Sequence, residues 1–145
     1  MKFAQSRFNM KNPGKYVGTK TPLARSSWEY VFMRTLDEHA GVEQWASESI
    51  QIPYRDPLTG KYTIYVPDFF IVYVDKNSKK HAELVEVKPS NQTFRDKLGK
   101  SRYNQEQYVK NLAKWEAANV WCRQKGIRFR VLNESDIFHQ GIKTR

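Results

Sequence analysis

Residues 61–88 read KYTIYVPDFFIVYVDKNSKKHAELVEVK, and the fold turns on how this stretch is read. Lys61–Val74 is rich in β-branched and aromatic residues, which predicts a long strand. Asp75–Lys80 has the polar composition of a turn, and Ala82–Lys88 predicts a second strand, ended by Pro89. On the first strand Ile64, Val66, Phe70, Val72 and Val74 share one face by period two, and Asp68 interrupts that apolar row. On the second, Glu86 and Lys88 point to the side of Ala82 and Leu84, while Val85 and Val87 point to the other. A three-residue loop, Lys76 to Ser78, makes Asp68 and Glu86 direct cross-strand neighbours with Cβ atoms about 5 Å apart. A two-residue loop would put them on opposite faces. Facing carboxylates repel unless a cation lies between them, and a strand-end pair suits a hard divalent ion such as Mg²⁺. The competing reading is a plain hairpin, with Asp68 a turn residue after Pro67 and Glu86–Lys88 a solvated pair.

On the N-terminal side, Ser26 to about Ala40 predicts a helix. Trp28, Val31, Phe32 and Leu36 form one apolar stripe, with Gly41 as a stop. Ser26-Ser27-Trp28-Glu29 fits a capping box in which Glu29 reaches back to the Ser26 amide. That role would account for Glu29, although it also sits beside the face turned to the sheet. Short strands are expected around Val42–Trp45 and Ser49–Pro53, and a turn at Asp56–Gly60. On the C-terminal side a polar stretch, Ser90 to Lys100, precedes a helix from about Ser101 to Gln124. Its expected apolar stripe is Tyr108, Leu112, Trp115 and Cys122, with Val109, Ala113 and Val120 beside it. Gly126 caps this helix, Ile127–Leu132 is a last strand, and Ser135 starts a short terminal helix. The order predicts a mixed α/β domain with a central sheet and flanking helices.

The 145 residues carry a net charge of +10, unevenly placed. Residues 1–25 hold six basic and no acidic residues, 26–75 hold three against eight, and 76–145 hold sixteen against seven. Basic segments are the footprint of phosphate-backbone binding; solubility alone is the competing explanation. The first segment, with Asn12-Pro13-Gly14, Gly18 and Pro22, reads as a mostly irregular basic arm, parts of which pack down through Phe3, Phe8 and Tyr16. The single cysteine, Cys122, excludes a disulfide framework and a cysteine zinc cluster, and its helical setting suits a small core residue. His39, His81 and His139 lack zinc-site spacing. No apolar run is long enough for a membrane span and no secretory h-region follows Met1, so a soluble intracellular protein is expected. Lys97, Lys100, Arg102 and Lys110 are candidate phosphate contacts, with a solvated helix face as the alternative.

Glu29 on a helix, Pro67-Asp68 on a strand and Glu86-Val87-Lys88 on the next resemble the PD-(D/E)xK nuclease signature. A longer resemblance is more specific. Ser6-Arg7-Phe8-Asn9, Lys11-Asn12-Pro13, Lys15-Tyr16, Arg25-Ser26-Ser27-Trp28-Glu29, Gln44-Trp45, Ile52-Pro53-Tyr54 and Pro67-Asp68-Phe69 resemble the head-completion nucleases of large contractile-tailed phages. The likeness runs from the N-terminal arm through Lys88 and is looser beyond. More distantly, the chain is similar to end-cleaving endonuclease subunits of cut-and-paste transposons and to archaeal junction resolvases.

The resemblance implies a restriction-endonuclease-like core: an arm over 1–25 and a single nuclease domain over 26–145. It implies Mg²⁺- or Mn²⁺-dependent cleavage of double-stranded DNA, at ends or branches, late in phage head maturation. Asp68 and Glu86 would hold the metal with the Val87 carbonyl, Lys88 would position the attacking water, and Glu29 would be an outer or second-metal ligand. Some relatives carry a Gln-xxx-Tyr element on the following helix, where this chain has Asn104-xxx-Tyr108. DNA contacts are expected from Arg7, Lys11, Lys15, Lys20, Arg25, Lys97, Lys100, Arg102, Tyr108 and Lys110. Phage head or portal proteins are the expected protein partners, and the host cytoplasm, with virion association, the expected location. The alternative is a non-catalytic head or neck protein that binds DNA ends. Intact residues at all four motif positions favour the enzyme.

Overall fold

The computed structural model describes residues 5–88 and 101–133. Strand β1 (Ser6–Arg7) pairs with β2 (Leu23–Ala24), and helix α1 spans Ser27–Glu38. Strands β3 (Val42–Ser47), β4 (Ile52–Arg55), β5 (Tyr62–Tyr65), β6 (Phe69–Val74) and β7 (Lys80–Val87) follow, then helix α2 (Arg102–Lys125) and strand β8 (Arg128–Leu132). The central sheet has the order β3-β6-β7-β8, antiparallel except for the parallel β7–β8 pair. A parallel neighbour needs a crossover, and α2 lies in the connection that makes it. The expected mixed α/β architecture is therefore present.

The two helices cover opposite faces of the sheet, as the alternation of β6 and β7 requires. Phe69, Ile71, Tyr73, Val85 and Val87 pack with Phe32, Met33 and Leu36 of α1, while Leu84 and Phe70 pack with Ala118 and Cys122 of α2. Phe32, Met33 and Leu36 are buried, each contributing about 1.5–3 kcal/mol of hydrophobic stabilisation. Ser26 caps α1, its Oγ accepting from Glu29 N at 3.1 Å. The stop is not at Gly41: His39 is the C-cap, and its Nδ1 accepts from Gly41 N at 2.9 Å. At the other helix, Ser101 Oγ accepts from Asn104 N, and Gly126 closes the end in the left-handed conformation.

Three expectations change. The long strand is broken at Val66-Pro67-Asp68, because Pro67 has no N–H for a ladder and the chain changes partner there. β5 pairs with β4 in a separate ribbon, and β6 begins afresh in the central sheet. The more deeply buried face of β6 is Phe69, Ile71 and Tyr73, under α1, rather than the half-buried row Phe70, Val72 and Val74. On α2, Cys122 is buried as expected, but with Asn111 and Ala118; Val109, Leu112 and Val120 are exposed. Small residues at 118 and 122 let the helix approach the sheet closely, leaving its bulkier aliphatic residues outside.

The N-terminal segment is mostly irregular outside its short elements and, as expected, parts of it pack down. Phe8 and Tyr16 pack edge-on against Trp45, and Phe8 is buried; Phe3 lies outside the described residues. The backbone N–H groups of Lys11 and Asn12 donate to the buried Asp37 carboxylate at 2.9 and 3.0 Å. Lys15 Nζ donates to His39 O at 2.7 Å, on the carbonyl-rich end of α1. The helix expected from Ser135 also lies outside the described residues. Among the described residues no helix is long and apolar enough to cross a membrane.

Candidate active site

The β6–β7 register decides whether the two carboxylates meet. Phe69 pairs with Val85 and Val74 with Lys80, and Asp75 N donates to Lys79 O at 2.9 Å. The hairpin loop is thus Lys76 to Ser78, three residues, closed by Asp75 Oδ1 accepting from Asn77 N and Lys79 N. Continued one step past Phe69, this register places Asp68 opposite Glu86. Asp68 sits in a bend just before β6, and its carbonyl accepts from Glu48 N at 2.9 Å. Its Oδ2 accepts from Val87 N at 2.8 Å. The break at Pro67 thus frees Asp68 from the strand ladder and lets it reach across to β7.

Glu86 is buried on β7. Its Oε1 accepts from the Tyr65 hydroxyl at 2.8 Å, and its Oε2 lies 3.7 Å from Lys88 Nζ. Burial and the facing Glu86 push the Asp68 carboxyl well above its ordinary range, only partly offset by the Val87 N–H. Burial raises Glu86 too, against the pull of Lys88 and Tyr65. Two acids strained in this way favour a cation between them. The donors are hard oxygens, which fit Mg²⁺ or Mn²⁺ rather than a soft metal. Lys88 is held in place at its backbone, its N–H donating to Leu132 O on β8 at 2.9 Å.

Glu29 stands at the edge of this site. Its charge contributes to raising Asp68, yet its Oε1 accepts from Arg25 N at 3.1 Å, one residue earlier than the amide expected for the capping box. Among the described residues no three His, Cys, Asp or Glu side chains group closely enough to hold an ion, so the tight pair is Asp68 and Glu86. Arg25 also forms an ion pair with Glu48, the residue that bonds to the Asp68 backbone. It therefore links the start of α1 to the Asp68 bend.

Among the other candidate DNA contacts, Arg7 and Lys20 are exposed. Lys11 Nζ pairs with Glu38 at 3.3 Å, Arg102 with Glu106 at 3.1 Å and Lys110 with Asp56 at 3.6 Å. Tyr108 is half-buried; Lys97 and Lys100 lie outside the described residues. Sequence reasoning missed Tyr65 and Lys114. Reading 61–74 as one strand put Tyr65 on the opposite face from Asp68, and only the break brings it to Glu86. Lys114 stands over the Tyr65 ring at 5.7 Å from its centroid; burial and the neighbouring Lys88 lower its pKa, while Glu86 holds its charge. The Lys110–Lys114 spacing of one helical turn was its only trace in the sequence.

A mixed sheet with a carboxylate pair at a strand end and a lysine beside it defines a restriction-endonuclease-like nuclease. Residues 39–134, from β3 through β8 with Asp68, Glu86 and Lys88, match the TnsA-like endonuclease N-terminal family. Over 143 residues the sequence is 32% identical to the Head completion nuclease of Enterobacteria phage T4, covering 92% of this chain and 93% of that protein. The chain belongs to the family of head completion nucleases.

Proposed function

We propose that the protein is a Mg²⁺- or Mn²⁺-dependent endonuclease that hydrolyses phosphodiester bonds of double-stranded DNA, at ends or branches, during phage head completion after packaging. The observation that carries this reading is the Asp68–Glu86 pair, half-buried and buried respectively, set face to face by the three-residue hairpin loop with Lys88 alongside. Asp68 and Glu86 would hold the ion, with the Val87 carbonyl beside them and Glu29 as an outer group. When bound, the ion supplies Lewis-acid polarisation of the phosphate and a water of lowered pKa. Lys88 orients the attacking water and meets the negative charge that develops on the phosphate. Exposed basic residues, Arg7 and Lys20 among them, hold the backbone on either side. Head or portal proteins are the proposed partners, and the host cytoplasm, with later virion association, the site of action.

A nicking assay with Mg²⁺ on plasmid, flapped and branched DNA tests this directly. Wild type should cleave at least one substrate and Asp68→Ala none. Equal cleavage by both would remove the reaction from this site. No cleavage by either, on every substrate, would favour a DNA-end-binding structural role.

A further inference from the structure

Glu86 stands on the central sheet, but the group that holds its carboxylate comes from outside it. Tyr65 ends β5, which among the described residues pairs with β4 alone. The ring is 4% exposed and packs with Ile52 and Leu84 in the core under α2. A buried tyrosine hydroxyl needs a partner, and any acceptor would satisfy that need. Here it donates to Glu86 Oε1 at 2.8 Å. The last torsion of a glutamate is otherwise broad, so this bond stops the carboxylate from turning. It commits Oε1 to the phenol and leaves Oε2 on the side of Lys88. Asp68 is held in a matching way, with Oδ2 on the Val87 N–H. Lys114 Nζ stands over the Tyr65 ring.

We propose that Tyr65 is a positioning residue for the divalent ion: its hydroxyl holds the Glu86 carboxylate in the orientation in which it would ligate, and the β4–β5 ribbon thereby sets the metal affinity of a site on the central sheet. This rests on the reading of Asp68 and Glu86 as the ligands. Groups that orient metal ligands from behind are worth about 10–100-fold in affinity.

The test is Mn²⁺ binding by calorimetry, without DNA, on wild type, Tyr65→Phe and Asp68→Ala, with melting measured in EDTA and in Mn²⁺. Tyr65→Phe keeps the ring and should weaken Mn²⁺ binding about 10–100-fold. The rise in Tm on adding Mn²⁺ should shrink accordingly, because that rise reports binding to the folded state. Its Mg²⁺ activation midpoint should move further than its kcat. A Tm lowered equally in EDTA and Mn²⁺, with wild-type Mn²⁺ affinity, would show a core hydroxyl and nothing more, overturning the positioning role while leaving the metal site intact. Wild-type protein that binds no Mn²⁺, or binding that survives Asp68→Ala unchanged, would overturn the metal reading itself. Should Tyr65→Phe not fold, 3-fluorotyrosine at position 65 gives a second readout. Its fluorine resonance should titrate with the Mg²⁺ binding curve, and a resonance indifferent to the ion overturns the proposal.

Discussion

Asp68 and Glu86 are each held above their ordinary carboxyl values of 3.8 and 4.5: loss of water is the largest cause at both, and at Asp68 the facing Glu86 charge adds to it. The folded protein therefore keeps protons that the unfolded chain has already released. By linkage, what this pair contributes to the stability of the metal-free protein is fully present below the ordinary carboxylate range and is lost as pH rises through the raised values. Glu86→Gln should flatten that dependence and raise stability at neutral pH by up to about 1 kcal/mol, the scale of a facing like-charge pair. Urea unfolding in EDTA across pH 4–9 measures it, and an unchanged slope would show that other groups set it. Lys88 makes a separate prediction. Its alanine variant should lose about 10²–10³-fold in kcat, as removal of one preorganised charge does elsewhere, with DNA affinity nearly kept. A parallel loss of affinity would make it a binding lysine.

At the scale of elements, the start of the chain is tied to the C-terminal end of α1. Asp37 accepts from the backbone of Lys11 and Asn12, and Lys15 donates to the last carbonyls of the helix. Asp37→Ala leaves two backbone donors without their acceptor and should cost about 2 kcal/mol in urea unfolding, with faster tryptic cleavage after Lys11 and Lys15. The end of α2 gives a cleaner case. Gly126 has φ 72° and open space around its missing Cβ, so Gly126→Ala meets conformational cost without a clash. About 1 kcal/mol is expected, read as a lower urea midpoint with an unchanged m-value.

For the molecule as a whole, the charge map and the structure divide the basic residues by role. Lys15 and Arg25 are engaged with the helix end and with Glu48, whereas Arg7 and Lys20 are exposed. Replacing Arg7 and Lys20 together by alanine should reduce the slope of log affinity against log salt by about 1–2, as the loss of one or two phosphate contacts requires. Lys15→Ala should lower stability and leave that slope nearly unchanged. A slope that responds to Lys15 instead would place the DNA track over the end of α1.

Much of the site was legible in the sequence because its signals are local. Period two put Glu86 and Lys88 on one side of a strand, and Ser26 before Trp28 and Glu29 marked a helix start. The polar run at 75–80 allowed the three-residue loop that the Asp68–Glu86 register needs. Local signals could not say where a strand changes partner. Val66-Pro67-Asp68 looks continuous with both flanks, yet β5 bonds to β4 while β6 joins the central sheet. That choice turns Tyr65 toward Glu86 and lets Asp68 reach Val87. Nor could periodicity tell which of the α2 stripes is buried, because apolar residues lie on several sides of that helix. The sequence by itself determined the two helices, the β6–β7 hairpin, the order of these elements and the meeting of Asp68 with Glu86, since these follow from composition and spacing along the chain. Only the tertiary structure decided what surrounds that pair, because Tyr65, Lys114 and Arg25 reach the site through packing between elements far apart in the chain.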